Sequence, residues 1–245
     1  MSRIFITGSA DGLGQLSANL LVRQGHNVVL HARNTDRARH ALKNQPEAEG
    51  VLTGDLSNIE ETKRLADQVN SAGVFDAVIH NAGVYEKSGQ EIFTVNTLAP
   101  YILTSLIQKP KRLVYLSSGM HLQGRAHLDY FKTSLNRITY SDSKLHVVML
   151  SMAVAKQWPG VLSNAVDPGW VPTKMGGHGA PDDLQKGYET QTWLAVSDDE
   201  NAKLTGKYFY HQKVRHYNPE ADDAKLRERF LILCEELTGV PFPQH

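Results

Sequence analysis

The sequence predicts an α/β fold: a doubly wound, mainly parallel sheet of about seven strands with helices on both faces. Two observations carry this. Short apolar runs alternate with longer helical stretches from end to end, and that alternation implies β-α-β crossovers and parallel pairing. The early runs are also apolar on both alternating faces, as strands covered by helices on each side are. With 245 residues, 41% of them hydrophobic and 21% charged, the chain suits one core, and a single domain over residues 1–245 is expected.

Taken in order, strands are expected at Arg3–Thr7, Asn27–His31, Val51–Gly54, Phe75–His80, Arg112–Leu116, Leu162–Val166 and Lys207–Tyr210. Helices are expected at Leu13–Gln24, Ile59–Ser71, Gln90–Gln108 and Asp142–Gln157, and the run Asp55–Asn58 offers N-caps for the second of them. Two stretches break the rhythm, residues 119–139 and 172–187. Both are polar and rich in glycine or histidine, and they read as surface segments covering a cleft. The second holds four glycines and two prolines, too many for a helix throughout, and is expected to be a mobile lid.

The first strand runs into Thr7-Gly8-Ser9-Ala10-Asp11-Gly12-Leu13-Gly14 and then a helix. Glycines at 8, 12 and 14 permit a tight turn, a close approach of backbone to a pyrophosphate, and close helix–sheet packing. The helix then presents free N–H groups and its positive dipole end to the phosphates. After the second strand comes His31-Ala32-Arg33-Asn34. A site for NAD usually has a carboxylate there for the ribose hydroxyls, and this sequence has none before Asp36. Arg33 instead suits a 2′-phosphate, so NADP(H) is the expected cofactor and NAD(H) the alternative.

The chemistry is expected from Tyr140-Ser-Asp-Ser-Lys144. On a helix these two residues share a face. A tyrosine ordinarily titrates near pH 10, and a neighbouring ammonium favours the phenolate, bringing the group toward a useful acid–base range. Pro100 lacks an N–H and cannot bond the Asn96 carbonyl, so the helix through this pair is expected to kink and leave that carbonyl free near Lys144.

These motifs resemble the short-chain dehydrogenase/reductase family, and the resemblance runs across nearly the whole chain. The glycine loop has the family's Thr-Gly-x-x-x-Gly-x-Gly spacing, with Asp11 where some relatives carry a basic residue. Asp55-Leu56 looks like the adenine-contacting pair. Asn81-Ala82-Gly83 looks like the Asn-Ala-Gly motif, with His80 where another Asn is common. Pro168-Gly169 matches the turn beside the nicotinamide, with Val171 and Thr173 following it. The resemblance implies a Rossmann-like fold and cofactor contacts from Thr7, Gly8, Ser9, Asp11, Gly12, Leu13, Gly14, Arg33, Asp55, Leu56, Asn81, Ala82, Gly83, Asn96, Tyr140, Lys144, Pro168, Gly169, Val171 and Thr173. It implies catalysis by Asn96, Ser118, Tyr140 and Lys144. Ser118, with Ser117 as the alternative, orients the substrate oxygen, Tyr140 passes the proton, Lys144 also binds the nicotinamide ribose, and Asn96 holds a relay water. The substrate class implied is a small carbonyl compound or alcohol, and the assembly a homodimer or homotetramer. The Gly206–Phe209 run and the charged helix after it resemble the retinol-dehydrogenase-like carbonyl reductases.

Other classes fit less well. Lys plus Arg and Asp plus Glu both number 26, leaving no charge excess for nucleic acid or anionic lipid. No apolar stretch suits a signal peptide or membrane span, so a cytoplasmic location without membrane association is expected. One cysteine and 11 histidines without ligand spacing argue against a metal centre. A catalytically silent NADP(H) sensor would retain the fold and commonly lose Tyr or Lys. A nucleotide-sugar epimerase or dehydratase would usually bring a larger C-terminal region. A serine hydrolase would need a Gly-x-Ser-x-Gly elbow, which is absent.

Overall fold

A computed structural model describes residues 1–243. Its centre is one eight-stranded sheet in the order β3-β2-β1-β4-β5-β6-β7-β8. The strands are β1 (Arg3–Ile6), β2 (Asn27–Ala32), β3 (Gly50–Thr53), β4 (Ala77–His80), β5 (Arg112–Leu116), β6 (Leu162–Asp167), β7 (Lys207–Tyr210) and β8 (Lys213–Arg215). All neighbouring pairs are parallel except β7 and β8. The strand order reverses at β1, which lies between β2 and β4, and such a switch opens a crevice at the carboxyl ends of the strands.

The eighth strand departs from the expected seven. Lys213, Val214 and Arg215 are all exposed, so no apolar alternation marks them. A tight turn with His211 at φ 49° and Gln212 at φ 60° folds them back on β7. The charged edge they form discourages further strand addition.

The two-faced pattern of β1 is borne out by its packing. Ile4 and Ile6 join one buried cluster with Leu21 of α1 (Gly12–Arg23) and Ala38 of α2 (Thr35–Asn44). Phe5, between them, joins the other, with Val69 of α3 (Ile59–Ala72). Each fully buried side chain of this size contributes about 1.5–3 kcal/mol of transfer free energy.

The helix expected at Gln90–Gln108 is three pieces. Residues Gly89–Phe93 form α4, Thr94–Leu98 form a π-helical turn, and Ala99–Leu106 form α5. The wide turn falls just before Pro100, whose missing N–H breaks the ordinary i to i−4 ladder there. After the short α6 (Tyr130–Thr133), α7 runs over Tyr140–Gln157, two residues earlier than expected. A capping box sets that start: Thr139 Oγ1 accepts from the Asp142 N–H at 3.2 Å, and Asp142 Oδ2 accepts from the Thr139 N–H at 2.9 Å. The lid segment is also shorter than expected, because α8 (Leu184–Val196) begins inside it, capped by Asp183. Helix α9 (Ala224–Thr238) follows the sheet. The chain beyond it is tied down where Tyr101 donates to the Val240 carbonyl at 2.8 Å and the Trp158 indole donates to Pro243 at 2.9 Å.

Candidate active site

Two adjoining cavities open along the carboxyl edge of the sheet, of about 400 and 920 Å3. The glycine loop walls the first. Gly12, at φ +54°, faces open space, and glycine adopts this left-handed backbone at little cost while a residue with a Cβ would be strained. Gly14 is packed instead: a Cβ there would stand 2.5 Å from Asn81 Nδ2 and from the Gly8 carbonyl. Asn81 Nδ2 donates to the Thr7 carbonyl at 2.9 Å and the Gly8 carbonyl at 3.2 Å, and Thr7 Oγ1 accepts from the Ala82 N–H at 3.0 Å. Ser9 Oγ donates to the Ile6 carbonyl and accepts from the His31 N–H. Thr7, Ser9 and Gly14 therefore shape the loop from behind, while Gly8, Asp11, Gly12, Leu13, Asp55, Leu56, Asn81, Ala82 and Gly83 border the cavity.

His31 joins the ends of three strands. Its Nδ1 accepts from the Gly8 N–H and its Nε2 donates to the Gly54 carbonyl, each at 2.9 Å. This fixes a neutral tautomer, and burial pushes its pKa down to about 4.

Arg33 is exposed at the rim of this cavity and has no partner among the described residues. Two further cations reach the same place. Arg37, on the first turn of α2, lies 3.4 Å from Asp11, and Lys174 of the lid segment also pairs with Asp11. Partial burial works against ionisation of Asp11, but Lys174, the Gly12 N–H and Arg37 outweigh it and hold its pKa low.

At the other end stand Tyr140 and Lys144, one helical turn apart on α7. The Lys144 ammonium is buried, donates to the Leu116 carbonyl at 2.9 Å and lies 5.4 Å from the centre of the Tyr140 ring. Burial lowers its pKa to about 8, against the pull of Asp167. Tyr140 moves the opposite way from the expected one. Burial pushes it up to about 12; the neighbouring Ser118 hydroxyl opposes this, and Asp167 and Tyr85 add to it. The Lys144 ammonium, 5.4 Å from the centre of the ring, does not offset this effect of burial.

Ser117 borders both cavities and Ser118 the larger one, and their partners differ. Ser117 is buried and donates to the Lys144 carbonyl at 2.9 Å, which anchors α7 to β5. Ser118 borders the larger cavity and accepts from the Met120 N–H at 3.2 Å. Asn96 is held by its side chain: Oδ1 accepts from the Val84 N–H at 2.8 Å, and Nδ2 donates to the Val84 carbonyl and to Ser143 Oγ, both at 3.0 Å. An added Cβ at Gly83 would lie 3.2 Å from Lys144 Nζ and 3.4 Å from Asn96 Oδ1, so that glycine lets the two residues approach one another. Of the turn after β6, Pro168 and Thr173 border both cavities, and Gly169 and Val171 only the larger one.

The sequence profile of short chain dehydrogenases matches residues 2–183. The chain belongs to the short-chain dehydrogenase family. Relatives of similar length agree with this. An oxidoreductase of Emericella nidulans is 45% identical, covering 99% of both chains. The short-chain dehydrogenase chyC of Penicillium rubens is 41% identical, covering 99% of this chain and 100% of its own. Among solved structures, a short-chain dehydrogenase of Shigella flexneri 2a complexed with NADP is 25% identical at a TM-score of 0.68, covering 86% of this chain and 97% of that one. The chain is thus an oxidoreductase with a nucleotide-binding Rossmann fold.

Within this short-chain dehydrogenase, sequence reasoning missed several residues at the cavities. Arg37 was legible in part, since Asn34 is an N-cap and places the third residue after it at the helix start. Lys174 gave no signal, because its partner Asp11 is distant in sequence. Tyr85 and Trp170 lie in loops, and Asp167 ends β6; all three border the larger cavity, and none carries a motif that marks it. No group of His, Cys, Asp or Glu among the described residues is arranged to hold a metal ion. No helix among them is long and apolar enough to cross a membrane.

Proposed function

We propose that this protein interconverts a carbonyl compound and an alcohol with NADP(H), using Tyr140 as general acid and base. One observation carries the reading: Tyr140 lies on the seam between the two cavities, bordering both. A nicotinamide ring in the smaller cavity and a substrate in the larger one would meet at its hydroxyl. The cofactor, when bound, supplies or accepts a hydride.

The glycine loop fits the cofactor's pyrophosphate, since Gly12 leaves the backbone open on the cavity side. Asp55 and Leu56 would flank the adenine, and Lys144 would hold the nicotinamide ribose. In the reductive direction Ser118 orients the carbonyl oxygen and Tyr140 protonates it. A phenol held near 12 remains protonated at neutral pH and is still far more acidic than the alcohol being formed, so the transfer is downhill. Lys144, with a water held at Asn96, then restores the proton. The cytoplasm is the compartment this reading suits.

Arg33, Arg37 and Lys174 are the charges available for a 2′-phosphate. NADPH and NADH titrated into the protein should show NADPH binding tighter. Arg33→Asp and Arg37→Asp should each weaken NADPH about 10- to 100-fold, the scale of a lost charge-assisted hydrogen bond, with little effect on NADH. Tighter binding of NADH by the unmodified protein would overturn the NADP(H) assignment.

Residues 172–187 act as a lid in this reading, with Lys174 tying the segment to the glycine loop through Asp11. Lids open because few buried contacts hold them. Hydrogen exchange in residues 172–183 should be fast in the free protein and slow on adding NADPH, more than in exposed loops far from the cleft. Exchange that is slow beforehand, or unchanged by NADPH, excludes a lid.

A further inference from the structure

The larger cavity is walled by apolar side chains that stand in solvent. Tyr85, Met120, Trp170 and Met175 border it and are 41%, 40%, 60% and 48% exposed. Large apolar groups left open around one hollow fit a planar, apolar ligand, which two aromatic rings can sandwich and two methionines can follow in shape.

One wall has the opposite character. Asp167, at the carboxyl end of β6, borders the cavity close enough to Tyr140 for its charge to be felt there. Its Oδ1 accepts from the Gly169 N–H at 2.9 Å. Its Oδ2 faces Gly119, where a methyl group would stand 3.0 Å away, so a glycine keeps that oxygen approachable. No Lys or Arg among the described residues forms an ion pair with it. Against the same carboxylate lies the buried Tyr208 hydroxyl, near enough to interact with it. Elsewhere on the cavity, Glu86 and Asp182 add negative charge, and the Lys174 ammonium is engaged with Asp11.

A carboxylate in this position opposes proton release from Tyr140, because the phenolate would face a second negative charge. That adverse effect disappears when a bound molecule brings a donor or a positive charge to Asp167. We infer that Asp167 selects the substrate: a planar, apolar-sided ketone or aldehyde carrying an amine or hydroxyl donor on the side of the reacting carbon that faces β6. Anionic carbonyl compounds such as oxo acids are repelled. The inference rests on the carbonyl-reducing function proposed above. In that reaction the carbonyl π bond opens, the reduced nicotinamide's hydride forms the C–H bond and the Tyr140 proton forms the O–H bond. The products are an alcohol and the oxidised nicotinamide, and Asp167 exchanges no proton.

Four phenyl ketones that differ at one carbon test this: acetophenone, α-hydroxyacetophenone, α-aminoacetophenone and benzoylformate. NADPH oxidation gives kcat/KM, and quenching of Trp170 fluorescence, assigned with Trp170→Phe, gives binding to the NADPH complex. The amino and hydroxy ketones should exceed acetophenone about tenfold or more, the scale of a charge-assisted hydrogen bond, and benzoylformate should fall below it by a similar factor. Asp167→Asn keeps an oxygen for the Gly169 N–H and should bring the amino-to-acetophenone ratio to within about threefold. Ratios are used because any change in Tyr140 itself affects all four ketones alike. Gly119→Ala, which crowds Oδ2 and leaves the charge, should reduce the same ratio and covers the case of an Asp167→Asn protein that does not fold. Equal kcat/KM for the four ketones, or ratios that survive both substitutions, would overturn the inference. If none is reduced, the fluorescence ranking decides: a preserved ranking sinks the hydride-transfer reading and leaves Asp167 as the selector, and a flat ranking sinks the selector.

Discussion

Tyr140→Phe is expected to lower turnover about 10²- to 10⁴-fold while NADPH affinity stays within a few-fold. The substitution removes one oxygen and leaves the ring, which stacks edge-on against Tyr85 at 4.9 Å and lies beneath the Lys144 ammonium. Helix α7 should be undisturbed, because its start is held by Thr139 and Asp142. Single-turnover reduction with saturating NADPH would measure the loss directly. A variant retaining most of the wild-type rate would remove Tyr140 as the proton donor.

The same pair sets an expected pH dependence. The proposed reduction needs two protonated groups, the Tyr140 phenol and the Lys144 ammonium, with pKa values near 12 and 8. The lower of the two is lost first as pH rises. The reductive kcat/KM should therefore fall above about pH 8, through Lys144. A rate that stays level to pH 10 would show that the charge on Lys144 is not needed.

The Tyr140–Lys144 pair was legible in the sequence because its geometry is local: residues four apart on a helix share a face whatever surrounds them. The glycine loop was legible for a similar reason, since strand, turn and helix follow in immediate succession. What the sequence could not supply was the sign of the Tyr140 shift. That sign depends on burial and on Asp167, which arrives from β6. Pro100 marks the irregular helix found at Thr94–Leu98, but the side-chain partners of Asn96, Val84 and Ser143, are ones the proline does not reveal. The capping box that starts α7 is written in the sequence as Thr139-x-x-Asp142 and marks Tyr140 as the first helical residue. The β8 strand was invisible because exposure on both faces erases the period-two pattern. Contacts between distant segments, such as Lys174 with Asp11, leave no mark in a single sequence.

Mild acid should unfold this protein, and three buried histidines are the reason. His31, His80 and His146 are fully buried, and desolvation lowers their pKa values to about 4, 3 and 4 from the ordinary 6.5. Two are locked as neutral tautomers by their partners. His31 Nδ1 accepts from the Gly8 N–H, and His146 donates through Nε2 to the Ala126 carbonyl at 2.7 Å with Nδ1 at 3.1 Å from Thr97 Oγ1. Protonating His31 would set N–H against N–H at the glycine loop. His80 lies stacked on Tyr115, with Nδ1 buried and unpartnered. The unfolded chain takes up protons at these residues below pH 6.5 and the folded chain does not, so their contribution is intact above about 6.5 and is lost as pH falls toward 4. Each histidine costs about 1.4 kcal/mol per pH unit in that window. From pH 6.5 to 4.5 the three together remove several kcal/mol, on the order of the whole stability of a typical domain. Urea titrations between pH 7.5 and 4.5 should show midpoints falling steeply below pH 6.5, with a proton uptake on unfolding near three at about pH 5. His80→Phe, which keeps a ring against Tyr115 and cannot ionise, should reduce that uptake by about one. A stability that is flat from pH 7 to 5 would mean that these rings are solvated or paired in ways the packing does not provide.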